Sequence, residues 1–402
     1  MKRILFLSFC RYDTLNIQDF YADILRQFAD NGDYVCVVSL EEKKRNIPTH
    51  IKHEDNCSIL HVKIGNYFNV NTIEKGFTLI QLESKVLSAI KKYFKNIKFD
   101  LILYATPPIS FARVIRYIKN RDDAKSYLML KDIFPQNAVD LGMMSKSGLS
   151  GIIYKYFRHK EKELYNVSDY IGCMSQANCD YLIEHNEYIN SDKVEICPNC
   201  VEPQDLLYDC QQKIAVRKKY NIPQDKKIFI YGGNLGKPQD IPFIIKCIKD
   251  VQQLNEAFFL IVGDGTEFNK LKAFFDNEKP LNAKLLNKLP KDDYNLLVSA
   301  CDVGLIFLDH RFTIPNFPSR LLSYMQSELP VLACTDCSSD IGHTIVEGGF
   351  GWWCESVNTA EFVTTVNTAL NANLLSMGKK SKKFLLEHYT AKHGADIILR
   401  QR

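Results

Sequence analysis

The stretch Ile314-Pro-Asn-Phe-Pro-Ser-Arg-Leu-Leu-Ser-Tyr-Met325 decides how this chain is read. It lies between Val303-Gly-Leu-Ile-Phe-Leu308, which reads as a buried parallel strand, and Leu329-Pro-Val-Leu-Ala333, which reads as the next. Asn316 is suited to cap a helix, and Pro318 fits its first turn, where a missing N–H costs nothing. Leu321, Leu322 and Met325 give that helix one apolar face. A strand, a loop and a helix N-terminus together make an anion site. Arg320 in the first turn opposes the helix dipole, so it asks for a compensating anion such as phosphate; a screened surface arginine is the alternative.

Outward from this unit the same alternation of short apolar runs and helical periods fills the chain, the pattern of an α/β doubly wound sheet. The first half offers strands at Ile4–Phe9, Tyr34–Leu40, Leu60–Ile64, Phe99–Ala105, Ser126–Leu130, Tyr170–Cys173 and Val194–Cys197. Between the first two, Ile17–Asn31 repeats apolar residues at helical spacing and ends on Asn31-Gly32, a C-cap signal. Glu202–Asp225 turns polar and crosses Pro203 and Pro223. After it the alternation resumes with Lys227–Gly233, then Phe258–Val262, Ala283–Leu286, Val303–Leu308, Val331–Cys334 and Phe350–Trp353 as strands. Thr359–Leu370 and Leu374–Arg402 read as helices. The expected organisation is one Rossmann-like domain over 1–205, a second over 206–385, and a terminal helix over 386–402 that returns to the first.

Composition bounds the function. At 402 residues and 46% hydrophobic content the chain exceeds one ordinary core, and a net charge of +4 gives no reason to expect nucleic acid. The opening apolar run stops at Arg11, which fits a first strand better than a signal peptide. No run reaches the length of about 18 apolar residues that a membrane helix needs. Thirteen cysteines, an odd number, fit a reducing cytoplasm. The pairs Cys197/Cys200 and Cys334/Cys337 are too far apart for a zinc ribbon, so no metal and no cofactor is expected.

Ligands bind at the carboxyl ends of strands in such sheets, so the following loops hold the candidates. Tyr231-Gly-Gly-Asn-Leu-Gly-Lys237 offers Gly233 and Asn234 for close backbone approach and Lys237 as a cation for a diphosphate. Val262-Gly-Asp-Gly-Thr-Glu267 repeats the device with Gly263 and Asp264; there Asp264 or Thr266 is also placed to cap the next helix. With Asn316, Phe317, Pro318, Ser319 and Leu321 these form the expected diphosphate site. In the first domain Lys131 and Asp132 end an almost purely apolar strand, where a charged pair is rarely packing. Arg11, Tyr12 and Asn16 follow the first strand and are polar where a structural loop needs only turn residues.

Two stretches are basic and aromatic. In Lys85–Lys98 the residues Val86, Leu87, Ile90, Phe94 and Ile97 share a face flanked by lysines; the other stretch is Gly151–Lys160. Each reads either as a peripheral contact on anionic lipid or as an amphipathic helix packed on a sheet. The expected location is cytoplasmic, with peripheral contact at the inner face of the cytoplasmic membrane. A P-loop, an Asp-x-Asp and a Gly-x-Ser-x-Gly are absent from the sequence.

Two tandem doubly wound domains, the Gly-Gly loop, Val-Gly-Asp-Gly and Phe-Pro-Ser-Arg-Leu-Leu-Ser-Tyr-Met together resemble family 4 glycosyltransferases of the GT-B type. Lys131-Asp-Ile-Phe-Pro-Gln136 and Cys197-Pro-Asn-Cys-Val-Glu202 most resemble bacterial O-antigen and capsule enzymes that use UDP-activated N-acetylated deoxyhexosamines of the L-fucosamine type. The resemblance implies a UDP-sugar donor, retention at the anomeric carbon, no divalent metal and a polyprenyl-diphosphate-linked acceptor. It also brings departures. The family's two glutamates would fall on Pro315 and Ser323, its loop arginine and lysine on Asn234 and Gln239, its first Gly-Gly pair on the Arg11–Asn16 region, and its histidine on Lys131. The reading is a sugar transferase with Asp132, Lys131 and Arg320 as catalytic candidates, the diphosphate site of the second domain as its donor site, and Arg11, Tyr12 and Asn16 as candidate acceptor contacts. Its rivals are a UDP-sugar epimerase of the same fold and a non-catalytic nucleotide-sugar-binding scaffold.

Overall fold

A computed structural model of the chain describes residues 1–67, 70–206 and 208–400. It divides into two compact units, Met1–Glu202 with the segment from Ala391, and Pro203–Thr390. Each is a Rossmann-like α/β layer structure.

The first unit has eight strands: β1 (Arg3–Leu7), β2 (Tyr34–Glu42), β3 (His50–Glu54), β4 (Cys57–Ile64), β5 (Leu101–Ala105), β6 (Lys125–Leu130), β7 (Tyr170–Cys173) and β8 (Val194–Ile196). They lie in the order β3-β4-β2-β1-β5-β6-β7-β8, parallel except for the β3–β4 hairpin. β3 escaped the sequence reading because His-Ile-Lys-His-Glu has one aliphatic residue; its place at a sheet edge lets it stay polar. The first helix, Phe20–Asp30, starts later than Ile17 because Asp19 caps it, accepting from the Tyr21 and Ala22 N–H groups.

The second unit has six parallel strands: β9 (Lys227–Asn234), β10 (Ala257–Asp264), β11 (Ala283–Asn287), β12 (Val303–Phe307), β13 (Val331–Thr335) and β14 (Gly351–Glu355). Their order is β11-β10-β9-β12-β13-β14, which reverses direction between β9 and β12. That switch point is where an open α/β sheet leaves a crevice beyond its carboxyl ends. Helices cover both faces, so the strands are apolar almost throughout: Phe229, Ile261, Leu305 and Leu332 are sealed in one core.

The helix expected over Leu374–Arg402 is two helices, Leu374–His388 and Ala391–Arg400; positions 401 and 402 lie outside the described residues. The break comes at Tyr389, whose φ of −128° leaves the helical region. Beyond it the Ala391 N–H donates to the Val201 carbonyl at 2.8 Å, a strand-like contact that suits the β-branched Thr390.

Candidate functional site

The stretch 314–325 forms a shorter helix than its sequence implies, Arg320–Gln326. Asn316 does not cap it. Its N–H donates to Ser339 Oγ at 2.8 Å and its own Nδ2 to the Ile314 carbonyl, because the loop after β13 lies against it. The Leu321 and Leu322 N–H groups close turns on the Pro318 and Ser319 carbonyls at 3.2 and 3.1 Å, so this helix start holds less backbone for an anion than expected. Leu321 and Phe317 are buried in the unit's own packing, Phe317 with its ring 6.1 Å from Tyr389, while Pro318 and Ser319 retain exposure.

What the stretch does present is a cation. Arg320 and Tyr324 stand one turn apart on one helix face, a spacing already visible in the sequence. The Arg320 guanidinium lies 4.2 Å from the centre of the Tyr231 ring, a cation–π stack beneath the end of β9. A methyl placed on Gly233 would meet Arg320 Nη2 at 3.4 Å. Tyr324 Oη accepts from the Gly232 N–H at 3.2 Å and lies 3.1 and 3.0 Å from the Ile230 and Leu305 carbonyls, so it ties β9 to β12.

Arg320 Nη1 is buried and has no hydrogen-bond partner among the described residues. Burial raises the neighbouring phenols, Tyr324 to about 12 and Tyr231 in the same direction, so both stay neutral and leave the cation unbalanced. An arginine keeps its charge when buried, and an unpaired buried charge is costly. The arrangement is therefore one that an anion would complete.

The glycine loops lie around this cation. Gly233 has φ +134°, a backbone that disfavours any side chain. Gly263 faces it across the strand pair, and a Cβ there would sit 1.9 Å from the Gly233 carbonyl oxygen. Backbone cannot yield as a side chain does, so Gly263→Ala is expected to cost roughly 2–4 kcal/mol of stability and to weaken any ligand held by this loop. Chemical denaturation of the variant checks it, and a wild-type midpoint would refute it. The two loops are zipped together by Leu235 N–H to the Asp264 carbonyl at 2.7 Å and Glu267 N–H to the Leu235 carbonyl at 2.9 Å. Asn234 Nδ2 donates to Gln239 Oε1 at 3.2 Å, so these two positions hold a neutral amide pair bonded to itself rather than cations. Lys237 is exposed beside them. Asp264 and Thr266 do not cap the helix Phe268–Glu278, whose N-cap is Glu267; Asp264 ends β10, exposed, 4.0 Å from Lys288 Nζ.

Asp336 follows β13 and had no sequence signal beyond its place at a strand end. It accepts from the Ser338 and Ser339 N–H groups at 3.0 and 2.8 Å and from Ser339 Oγ at 3.1 Å, and Ser339 Oγ in turn receives the Asn316 N–H. Burial lifts its carboxyl to about 6. Asp336 thus holds the Asn316–Ser319 loop from behind.

In the first unit Lys131 and Asp132 sit at the carboxyl end of β6 as the sequence implies, each with partners. Lys131 Nζ donates to the Cys197 carbonyl at 3.0 Å, and burial lowers its ammonium. Asp132 Oδ1 accepts from Asn137 Nδ2 at 2.7 Å, and burial lifts its carboxyl to about 6. The acceptor candidates part company. Tyr12 is buried, its hydroxyl donating to Asp19 at 2.9 Å, because it fills the core beneath β1 rather than facing a ligand. Arg11 spends its guanidinium on Glu41 at 2.9 Å and Asp13 at 2.7 Å. Asn16 is exposed. Two clusters bring three potential metal ligands together, Asp13–Glu41–His61 and Asp240–Asp309–His310. In the first Arg11 already pairs with both carboxylates, and in the second Arg311 pairs with Asp309.

The switch point, the glycine loops and the unbalanced cation thus gather at one end of the second sheet. Residues 212–384 match the glycosyl transferases group 1 family. The chain is 23% identical over 323 residues to the probable glycosyltransferase WbjE of Pseudomonas aeruginosa, covering 78% of this chain and 76% of that one. Among solved structures it resembles WaaG, a glycosyltransferase involved in lipopolysaccharide biosynthesis, with a TM-score of 0.68 at 13% identity over 98% of this chain and 99% of that one. It also resembles Anabaena HepE in complex with UDP-glucose, with a TM-score of 0.69 at 13% identity over 100% of this chain and 99% of that one. The fold is GT-B, and the family match together with these relatives supports a glycosyltransferase.

Proposed function

We propose that the protein is a retaining, metal-independent glycosyltransferase. It moves a sugar of the N-acetylated deoxyhexosamine class from UDP to a polyprenyl-diphosphate-linked or glycan acceptor in surface polysaccharide synthesis. The observation that carries this reading is the buried Arg320 Nη1 without a partner beside Gly233, a position suited to a diphosphate oxygen. The HepE complexes with UDP and UDP-glucose support a UDP donor in a protein of the same fold. WaaG and WbjE support the polysaccharide context.

In this reading the second unit binds the donor and the first the acceptor. As the bond from the anomeric carbon to the diphosphate oxygen breaks, charge grows on that oxygen, and Arg320 with Lys237 meets it. The donor site has no glutamate at Pro315 or Ser323 to act as nucleophile. The acceptor hydroxyl therefore bonds the anomeric carbon from the face the diphosphate leaves, and its proton passes to the departing phosphate oxygen. Asp132 and Lys131 orient acceptor or sugar hydroxyls.

A thermal-shift panel of UDP-, GDP- and dTDP-sugars tests the donor. A ligand at a hundred times its Kd stabilises the folded state by about 2.7 kcal/mol, so UDP-sugars are expected to raise the melting temperature and the other two to do less. A shift with GDP- or dTDP-sugars alone would overturn the UDP assignment. Turnover with a lipid-linked acceptor then separates transfer from its rivals: an epimerase converts UDP-sugar without acceptor, and a scaffold turns over nothing.

A further inference from the structure

The two basic, aromatic helices differ in what covers their apolar faces. In the stretch Lys85–Lys98 that face is packed inward, with Val86, Ile90 and Phe94 fully buried, whereas Phe77 and Ile80, earlier in the helix Thr72–Tyr93, are exposed. In Gly148–Val167 the reverse holds. Leu149, Ile152, Ile153 and Tyr156, spaced as one helix face, are 84, 66, 53 and 45% exposed. The helix is anchored by other residues, Gly151, Leu164 and Tyr165 being buried and Arg158 paired with buried Glu161, so the bare ridge belongs to a seated helix. Residues 141–160 contain Lys146, Lys155, Arg158 and Lys160 and no acidic side chain. Arg158 and Lys160 reach out of that window to Glu161 and Glu163, which leaves Lys146 and Lys155 as the cations beside the stripe; isolated exposed apolar residues are ordinary, and four in one stripe are not.

We propose that this face of Gly148–Val167 is a docking surface for an anionic lipid bilayer. The ridge enters the boundary between headgroups and acyl chains, and Lys146 and Lys155 lie against lipid phosphates. Charge favours lipid over a second copy of the chain, since a two-fold contact across this face would bring its basic flanks together. Among the described residues no helix is long and apolar enough to cross a membrane, so contact through this face is peripheral. The docked helix also bears on the catalytic candidate Asp132: Phe134, two positions after it, packs edge-on against Phe157 with ring centres 5.0 Å apart.

Co-sedimentation of the full chain with vesicles tests this without donor or acceptor, so its outcome is independent of the transfer reaction. Binding is expected to vesicles with about a third phosphatidylglycerol, to be weak on phosphatidylcholine alone, and to fall as salt rises. Ile152→Ser with Ile153→Ser is expected to lower the partition coefficient by roughly tenfold or more. Lys146→Glu with Lys155→Glu is expected to abolish the preference for anionic vesicles. All four residues are solvent-exposed, so unchanged melting curves verify that folding is intact. Absence of binding to anionic vesicles, or wild-type binding by the serine variant, overturns the proposal. So does a concentration-dependent dimer that the serine variant dissolves.

Discussion

Arg320→Ala is expected to lower turnover by roughly 10²-fold or more while leaving the ligand-free protein nearly as stable as before. The two halves of that expectation have one cause. In the free protein the guanidinium stacks on Tyr231 but keeps a buried nitrogen without a partner, so its removal gives up a cation–π contact and also relieves an uncompensated charge. With the donor bound, that same nitrogen is proposed to meet charge growing on the diphosphate, and nothing at Asn234 or Gln239 can substitute, since those amides bond each other. Arg320→Lys keeps the charge but loses the planar stack, and intermediate activity is expected. Steady-state rates, UDP thermal shift and ligand-free melting on the same samples decide the matter. Wild-type turnover in the alanine variant removes Arg320 from the chemistry, and a large loss of ligand-free stability recasts it as a structural residue.

Asp132→Asn is expected to move activity and stability in opposite directions. Burial lifts this carboxyl from its usual 3.8 to about 6, so the folded protein holds its proton more tightly than the unfolded chain does. Between about pH 4 and pH 6 the folded state therefore binds more proton, and stability falls as pH rises through that window. Above it a constant penalty of about 1–3 kcal/mol remains. Asparagine removes the charge and can still accept from Asn137, so the variant should melt above wild type at pH 7.5, with the difference closing towards pH 4. Turnover should fall at least about tenfold if the carboxylate orients a hydroxyl. Wild-type turnover should itself decline below pH 6, steeply, because Asp336 titrates in the same range and holds the Asn316 loop. Coincident melting curves at pH 7.5 would refute the burial cost, and unchanged turnover would refute the role.

Most of the architecture was legible because parallel strands covered on both faces are nearly continuous apolar runs, as in Val303–Phe307 and Val331–Thr335. The polar edge strand His50–Glu54 carried no such signal. The site was legible by place more than by role. Gly233, Gly263 and Arg320 stand at the carboxyl ends that doubly wound topology assigns to ligands, yet Asn316 looked like a cap and is claimed by Ser339. Tyr12 looked like a ligand contact and is core.

The sequence by itself determined the two α/β units, the loops that carry their chemistry and the need for a reason behind Arg320. Those follow from local period, turn residues and helix dipoles, which act over a few residues. Only the tertiary structure decided which faces are covered. The apolar stripes of Lys85–Lys98 and Gly148–Val167 have the same kind of period, yet Val86, Ile90 and Phe94 are buried whereas Leu149, Ile152 and Ile153 face solvent. It likewise decided that Arg320 lies over Tyr231 with one nitrogen unpaired, since burial and charge balance depend on neighbours distant in the chain.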